Sequence, residues 1–412
     1  MESRLISRLV TFAAVAVVAF ASDNGDIRKA LDFLARHESA QVALQTKISE
    51  IPAPGFHEEQ RAAFIASEFR RVGLEDVEID GIGNVLGWRH GTSPRALVLA
   101  AHLDTVFPAG TDVRVKRTAD RLVGPGLVDD SRGVAVMISV AEALRQAGIQ
   151  TKHSLLFVAD VGEEGLGNLR GIKYLVGEGK YHDRIDAFIS IDGDGANTIF
   201  NREIGSRRYR LTITGPGGHS FLDFGRVNPA SALGRVMALL AEMKVPVNPK
   251  TTYNVGRIGG GTSVNSVPFD AWMEFDMRSE DEQELIRLEQ EFLNRVKEGV
   301  DDENRFRASS GTELKVDAQR VAIRHAIANT NNASLVAAVQ YASEAVGLGK
   351  PILKAGSTDS NAAASAGIPA ITIDGGGGAG NMHSLEEWFS PAGSHRGIQK
   401  VLLTILHWDE QR

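Results

Sequence analysis

Several segments of this sequence end in side chains that can bind a metal ion or move a proton. The apolar run at 97–103 delivers His102 and, two positions later, Asp104. A short unbroken apolar run is typical of a strand buried on both faces of a parallel sheet, and residues two apart lie on the same face of a strand. Because open α/β sheets bind ligands at the carboxyl ends of their strands, we predict that His102 is a metal ligand whose ring Asp104 orients.

Acidic residues stand at comparable positions farther along the chain. They are Asp129 and Asp130 in the glycine-rich segment 124–133, Glu163 and Glu164 after the apolar run 154–161, and Asp192 after the run 187–191. One of the two aspartates can cap the helix predicted after them, which leaves the other free. Neighbouring side chains of an extended chain point to opposite faces, so one glutamate can bind a metal while the other acts on water. Helix capping and solvated surface carboxylates are the simpler alternatives.

A distant histidine completes this set. His383 follows the glycine-rich segment 375–380, in a loop where a lone histidine is usually only polar filler. Two histidines and three carboxylate positions are about what two metal ions sharing a bridging carboxylate require. Imidazole and carboxylate suit Zn²⁺, and Co²⁺ or Mn²⁺ tolerate the same ligands. The chain has no Cys, so cysteine zinc sites are excluded, and no His-Glu-x-x-His helix is present.

Taken in order, these motifs resemble the dinuclear zinc exopeptidase and deacylase family that includes glutamate carboxypeptidase, peptidase T, acetylornithine deacetylase and aminoacylase. The resemblance is carried by residues 102–106, 124–133, 162–165, Asp192 and His383. It implies that two Zn²⁺ are held by His102, Asp129, Glu164, Asp192 and His383. It also implies that Asp129 is the bridging ligand, Glu163 the general base and Asp104 the residue that orients His102. The family often has Lys two positions after the bridging Asp, where this chain has Ser131, followed by Arg132.

The pattern of predicted elements indicates two domains. Helices and strands alternate before residue 206 and after 326, which is typical of an α/β sandwich. Between them the predicted order β-α-β-β-α-β is that of a ferredoxin-like domain. We therefore predict the α/β class, with an α/β/α sandwich catalytic domain at 22–206 and 326–412. The resemblance implies that the inserted ferredoxin-like α+β domain at 207–325 is a lid and a dimerisation domain, and hence that the chain forms a homodimer.

Four further residues are candidates for substrate binding. The resemblance assigns His219, Asn265 and Arg278 of the lid to the substrate's carboxylate and scissile carbonyl, and Ser357 to a substrate loop at 356–359. Arginine is the natural bidentate partner of a carboxylate, and a histidine donor can stabilise a tetrahedral oxyanion. A surface ion pair for Arg278 and a turn histidine at 219 are the alternatives.

The function predicted from these residues is metal-dependent hydrolysis of an amide bond in small peptides, by an exopeptidase. An N-acyl amino acid deacylase on the same scaffold is the alternative, and Arg278 does not separate the two. A non-catalytic binding or dimerisation homologue has no need to retain Glu163 with all five ligand positions, as this chain does. The absence of a Gly-x-Ser-x-Gly elbow argues against a serine hydrolase.

The net charge and the N-terminal segment bear on the binding partners and the location of the protein. The net charge of −7 without a basic cluster argues against nucleic-acid and anionic-membrane partners. Arg4 and Arg8 precede an apolar run at 9–21 that ends in Ala-Phe-Ala, which predicts a signal peptide at 1–21 and export. The run is shorter than the ~20 residues of a membrane span. An uncleaved anchor or a buried N-terminal helix is the alternative.

Overall fold

The computed structural model describes residues 25–195, 197–307, 311–328 and 331–412. It forms two compact units, the first built from residues up to 202 and from 329 onward, the second from 203–328. The boundaries predicted for the inserted domain, 207 and 325, lie a few residues inside the second unit. The predicted signal peptide lies outside the described residues. None of the described helices is both long enough and apolar enough to cross a membrane.

The first unit contains most of the chain's elements. Its helices are α1 (Gly25–Arg36), α2 (Glu38–Ser49), α3 (Glu59–Arg71), α4 (Ser131–Ala147), α5 (Arg170–Gly177), α8 (Ala333–Ala345), α9 (Ser360–Ser365) and α10 (His395–Glu410). Its longer strands are β1 (Glu75–Ile79), β2 (Val85–Arg89), β3 (Ser93–His102), β6 (His153–Asp160), β7 (Ile185–Ile191), β8 (Thr198–Glu203), β15 (Ile352–Gly356) and β16 (Ala370–Ile373). These eight strands form one sheet in the order β1-β2-β6-β3-β7-β16-β8-β15.

The centre of this sheet is parallel and buried. Strands β6, β3, β7 and β16 run parallel, and the last seven residues of β3 are all buried. Helix α4 packs against β3 and β7, whereas α9 packs against β7 and β16. The predicted α/β/α sandwich is therefore confirmed, and the carboxyl ends of the parallel strands share one edge.

A small antiparallel sheet lies in the same unit. It has the order β17-β18-β5-β4 and consists of β4 (Lys116–Arg117), β5 (Leu122–Val123), β17 (Gly378–Gly380) and β18 (Trp388–Ser390). Residues Trp388 and Phe389 of β18 pair with Val123 and Leu122 of β5. This pairing joins the segment before Asp129 to the segment after His383, although the paired residues are about 265 positions apart in sequence.

The segment 26–47 has apolar residues at helical spacing, which predicts helix throughout. The structure has two helices there, and the chain turns at His37 between α1 and α2. The Nδ1 atom of His37 lies 2.8 Å from the carbonyl oxygen of Phe33, and the two rings stack with centroids 4.2 Å apart. Both helices pack against α4.

The second unit has the predicted ferredoxin-like order. Its elements are β9 (Gly205–Thr214), α6 (Pro229–Ala241), β11 (Thr251–Gly260), β13 (Asp270–Ser279), α7 (Glu282–Phe306) and β14 (Lys315–Arg324), with a short ribbon of β10 (Gly218–His219) and β12 (Ser266–Val267). The sheet order is β11-β13-β9-β14. Buried residues alternate along β13, and Phe275 on that strand stacks on Phe292 of α7 with ring centroids 4.7 Å apart.

The inserted unit begins and ends at adjacent points of the backbone. The N–H of Glu203 donates to the carbonyl of Ile327 at 2.8 Å, and the N–H of Ile327 donates to the carbonyl of Glu203 at 3.0 Å.

Candidate dinuclear metal site

The predicted metal ligands converge at the carboxyl edge of the parallel strands. His102 is the last residue of β3 and lies opposite Asp160, the last residue of β6. Asp192 follows β7 directly, and its N–H donates to the carbonyl of Ile373 at the end of β16. The glutamates 163 and 164 follow β6 by a few residues. Parallel pairing thus brings together side chains from three segments of the sequence, as the apolar runs predict.

Asp129 lies between the two histidines. Its Oδ1 is 2.9 Å from Nε2 of His102, and its Oδ2 is 2.9 Å from Nε2 of His383. The same nitrogen of His383 is 2.9 Å from Oε1 of Glu164. Each oxygen of one carboxylate therefore faces a different imidazole, which is the arrangement of a bridging ligand.

The donor atoms form two overlapping sets that share Asp129. One set is His102, Asp129 and Asp192, and the other is Asp129, Glu164 and His383. Within each set the ligand atoms lie within 4.8 Å of one another, and Glu163 belongs to a third set with His102 and Glu164. Imidazole nitrogen and carboxylate oxygen are the donors that Zn²⁺ and similar divalent ions bind. These residues therefore fit a pair of cations, with Glu163 beside them.

Of the two adjacent aspartates, Asp130 is the cap. Its Oδ1 accepts the N–H of Gly133 in the first turn of α4, and its Oδ2 accepts the backbone N–H of His102 at 3.1 Å. The peptide bond between Asp129 and Asp130 is cis. Asp130 therefore ties the end of β3 to the start of α4, while Asp129 faces the histidines.

Asp104 contacts both His102 and the loop that carries the two glutamates. The Nδ1 of His102 lies 3.0 Å from the backbone carbonyl oxygen of Asp104 and 3.6 Å from its carboxylate. The carboxylate instead accepts the backbone N–H groups of Glu163 at 3.0 Å and Glu164 at 2.9 Å. Burial opposes the charge of Asp104, but His102 and these N–H groups outweigh it and lower its pKa. The ring is thus oriented chiefly by the main chain, and the side chain holds the loop that carries both glutamates.

The electrostatics of the site favour bound cations. Hydrogen bonds to Asp129 and Glu164 raise the pKa of His383 to about 11. Burial and the charge of Asp129 raise the pKa of Asp192 to about 8. Burial alone would raise the pKa of Asp129, yet the two histidines hold it below its usual range. Carboxylates outnumber imidazoles here, and divalent ions would compensate that charge.

Two buried groups that the sequence did not single out support the loop before His383. Arg132, mentioned above only as a departure from the family pattern, is 2% exposed. Its Nη2 donates to the carbonyls of Gly375 and Ser394, both at 2.8 Å, and its Nε donates to Gly375 at 3.1 Å. Nearby, the ammonium of Lys400 lies 2.8 Å from the carboxylate of Asp374, and both residues are buried. No periodicity or motif distinguishes either group.

A second acidic pair lies under the site. Asp160 and Asp359 are fully buried, and their carboxyl groups influence each other's ionisation. Burial raises the pKa of Asp160 to about 7 and raises that of Asp359 well above its ordinary value. Asp160 adds to the rise at Asp359, whereas Asp359 lowers the pKa of Asp160. Burial of two neighbouring carboxyl groups disfavours the ionisation of both at once.

The predicted substrate residues lie in both units. Ser357 is half-buried in the loop directly after β15 in the first unit. The other three belong to the inserted unit, where Nδ1 of His219 accepts the N–H of Phe221 in a turn. The side chain of Asn265 accepts from the hydroxyl of Ser263, and Nε of Arg278 lies 2.8 Å from Asp276 on the same strand. The alternatives of a turn histidine and a surface ion pair describe the local contacts of His219 and Arg278.

A cavity opens beside His383 in the first unit. It has a volume of about 580 Å³. Its walls include the apolar side chains of Phe107 and Leu385 and the cationic side chains of Arg114 and Lys116. The metal-ligand cluster is therefore bordered by a space with both apolar and charged walls.

Comparison with known proteins identifies the family. Residues 98–407 match the model of peptidase family M20/M25/M40. The chain belongs to this family. The expected relationship to dinuclear exopeptidases and deacylases is thereby confirmed, and the protein is a hydrolase of the peptidase or amidohydrolase type. In M20 proteins of known structure the catalytic domain carries the same kind of inserted domain.

Individual relatives are distant. YgeY of Escherichia coli K12 is 32% identical over 120 residues, which are 28% of this chain and 30% of that protein. A probable succinyl-diaminopimelate desuccinylase of Staphylococcus aureus is 24% identical over 240 residues, covering 50% of this chain and 58% of that protein. The matches thus span less than two thirds of these relatives. A tripeptidase structure from S. aureus gives a TM-score of 0.72 at 22% identity, covering 91% of this chain and 99% of that chain, a likeness that shows the fold.

Proposed function

We propose that this M20 protein is an exopeptidase that hydrolyses the amide bond of small peptides with two Zn²⁺ ions and Glu163 as general base. The observation that carries the proposal is the position of Asp129, whose two oxygens face the two histidines at 2.9 Å each. Asp192 and Glu164 complete one three-donor set on either side of it. A helix cap or a surface carboxylate would not produce this arrangement.

The residues of the chain divide the chemistry between them. Bound by the two sets, divalent cations would lower the pKa of a water molecule and polarise the scissile carbonyl. Glu163, only 5% exposed, takes the proton of the attacking water and returns it to the leaving amine nitrogen. Asp104 keeps this base in place through the backbone N–H that it accepts. The main-chain carbonyl of Asp104 fixes the ring nitrogen of His102 that faces away from the cluster.

The substrate side of the proposal uses the residues predicted from the resemblance. Arg278 offers a guanidinium to a substrate carboxylate, His219 and Asn265 offer polar groups to the scissile carbonyl, and Ser357 lies in the loop after β15. The cavity beside His383 provides space for a substrate side chain. We also propose a homodimer through the inserted unit, because β11 is an edge strand with mostly exposed side chains. Sedimentation measurements test that part.

The central test separates the base from the ligands. Glu163→Gln removes the proton acceptor but keeps the shape, so kcat should fall roughly 10²–10⁴-fold while two zinc ions per chain remain. Glu164→Gln removes a ligand and should cost one zinc, measured by elemental analysis after gel filtration. Glu344→Gln, on the exposed surface of α8, is the control. Loss of zinc in Glu163→Gln equal to that in Glu164→Gln would contradict the assignment.

An N-acyl amino acid deacylase is the second candidate, because the sequence relatives include the probable desuccinylase and an N-carbamoyl-L-amino acid amidohydrolase of Geobacillus stearothermophilus. The zinc-loaded protein should be assayed on dipeptides, tripeptides and N-acetyl amino acids, with and without a chelator. Peptide hydrolysis that the chelator abolishes supports the exopeptidase. Turnover confined to N-acyl amino acids would replace it with the deacylase.

Export is a further part of the proposal. It is supported by the charged, apolar and Ala-Phe-Ala segments at 1–21. N-terminal sequencing of protein secreted by expressing cells should begin at Ser22, and material beginning at Met1 would contradict cleavage.

A further inference from the structure

Glu387 is a buried carboxylate placed between two loops that carry metal-ligand positions. It lies four residues after His383 and directly before β18, and it is 0% exposed. Its Oε1 accepts the backbone N–H groups of Val128 at 2.5 Å and of Asp129 at 3.1 Å, and its Oε2 accepts the N–H of Gly126 at 3.2 Å. One side chain from the His383 loop thus satisfies three donors of the Asp129 loop.

The short segment between His383 and Glu387 transmits this attachment. The N–H of Ser384 donates to the carbonyl of Asn381, and the N–H of Glu387 donates to the carbonyl of Ser384. His383 itself has a φ of +63°, a left-handed conformation that residues other than glycine rarely adopt. Such a conformation persists only where its surroundings hold it. The three hydrogen bonds of Glu387 and the pairing of β18 with β5 are those surroundings.

The chemistry of the contact requires a carboxylate. Three N–H donors face two oxygens, and both oxygens of an ionised carboxylate accept only. A glutamine at this position would turn its NH₂ group toward at least one backbone N–H, so a donor would face a donor. Among metal proteins, groups that orient the ligands from outside typically change metal affinity 10–100-fold when they are altered.

We propose that Glu387 is a positioning residue that sets the spacing between the carboxylate of Asp129 and the imidazole of His383. It thereby sets the affinity for the metal ion that the set of Asp129, Glu164 and His383 would bind. The inference rests on the proposed function, since it concerns the same pair of cations. A shift of the His383 loop relative to the Asp129 loop would change the 2.9 Å contact between Asp129 and His383. The contact of Asp129 with His102 lies on the other side of the carboxylate.

The test compares Glu387→Gln with a matched control elsewhere in the same unit. Asp409 is also a buried carboxylate, and it accepts the N–H groups of Lys152 and His153, both at 2.7 Å. It holds the start of β6, at the opposite edge of the sheet from His102. Asp409→Asn should therefore lower thermal stability without touching the metal site.

The measurements are titrations with Zn²⁺ and with Co²⁺ alone, using a competing chromophoric chelator, together with the visible spectrum of the Co²⁺-loaded protein. In Glu387→Gln, one of the two affinities should fall about 10–100-fold and the Co²⁺ spectrum should change. Asp409→Asn should keep both affinities and the spectrum. If Glu387→Gln does not fold, Glu387→Asp, which keeps the charge but is one methylene shorter, should show the same selective loss.

Three results would decide against the idea. Wild-type affinities and spectrum in the Glu387 variants would refute the positioning role alone, and so would an equal loss of affinity in Asp409→Asn. A wild-type protein that binds fewer than two cations would remove the proposed function as well. A wild type that binds two cations but hydrolyses no amide would remove only the proposed function.

Discussion

Replacement of Arg132 tests how the loop before His383 is held. Its guanidinium supplies two donors to the carbonyl of Gly375 and one to that of Ser394. Burial lowers its pKa, but only to about 10, so the group is charged at neutral pH. In Arg132→Met the apolar volume remains but two carbonyl oxygens lose these donors, at ~1–3 kcal/mol each. We expect a loss of about 3 kcal/mol in the free energy of unfolding, a large part of the 5–15 kcal/mol of an ordinary domain.

Arg132→Lys makes the test sharper. Lysine keeps the charge, but its single ammonium cannot reproduce a planar fork with three bonds in fixed directions. We therefore expect Arg132→Lys to lose at least about 2 kcal/mol and to weaken zinc binding by roughly tenfold, because the loosened loop leads to His383. Urea unfolding of the metal-free protein and zinc titration measure the two effects, with the exposed Arg36→Met as control. Wild-type stability and affinity in Arg132→Lys would refute the reasoning.

Three further predictions concern charge. Lys400 outweighs the effect of burial and lowers the pKa of Asp374. The stability that this carboxylate contributes should therefore be complete above its unfolded pKa of ~3.9 and be lost as the pH falls through the lower folded pKa, which urea unfolding between pH 2 and 6 should show. Lys400→Met should lower the free energy of unfolding by about 3–5 kcal/mol at pH 7. The raised pKa values of His102, His383 and Asp192 indicate that these three ligand positions hold protons in the metal-free protein at pH 7. Zinc binding should therefore release about three protons and strengthen with pH. Calorimetry in buffers of different ionisation enthalpy measures this release, and the absence of any release would contradict the prediction. Asp104→Asn puts an amide where two backbone N–H groups need acceptors. Because the loop that carries Glu163 is then held less firmly, kcat should fall roughly 10–100-fold at saturating zinc. An unchanged kcat would mean that the glutamate loop is held by other contacts.

The order of elements and the convergence of the site could be predicted because both depend on local patterns. Apolar runs identify the parallel strands, and residues placed at their carboxyl ends must meet at one edge of the sheet. The inserted unit shows the same kind of local pattern: burial alternates along most of the strand Gly205–Thr214, and the side chain of Asn228 caps the following helix. The periodicity of apolar residues and the position of capping residues are sufficient to predict these elements, because each feature is contained in a few consecutive residues.

The contacts that support the site could not be predicted in this way. The carboxylate of Asp104 accepts two backbone N–H groups of the glutamate loop, and the carbonyl of Asp104 makes the shorter contact with His102. This division depends on a loop about 60 residues away. Glu387 stands in no motif that the sequence offers, and its partners lie about 260 residues earlier. Arg132 likewise bonds across 243 residues. Such groups are recognised by what they touch in the folded chain, and neither periodicity nor residue type carries that information.

The paired backbones of Glu203 and Ile327 bear on how this architecture can be remodelled. The chain leaves and re-enters the first unit through one antiparallel bridge, whose two Cα atoms are a single strand spacing of ~5 Å apart. A two-residue hairpin turn closes a gap of that size. Deleting residues 204–326 and joining the ends by Asn-Gly would therefore shorten the chain without stretching β8, and all five histidine and carboxylate positions lie outside the deletion. One inserted unit could then be replaced by another while the eight-stranded sheet stays unaltered. The substrate preference could be changed in this way independently of cation binding.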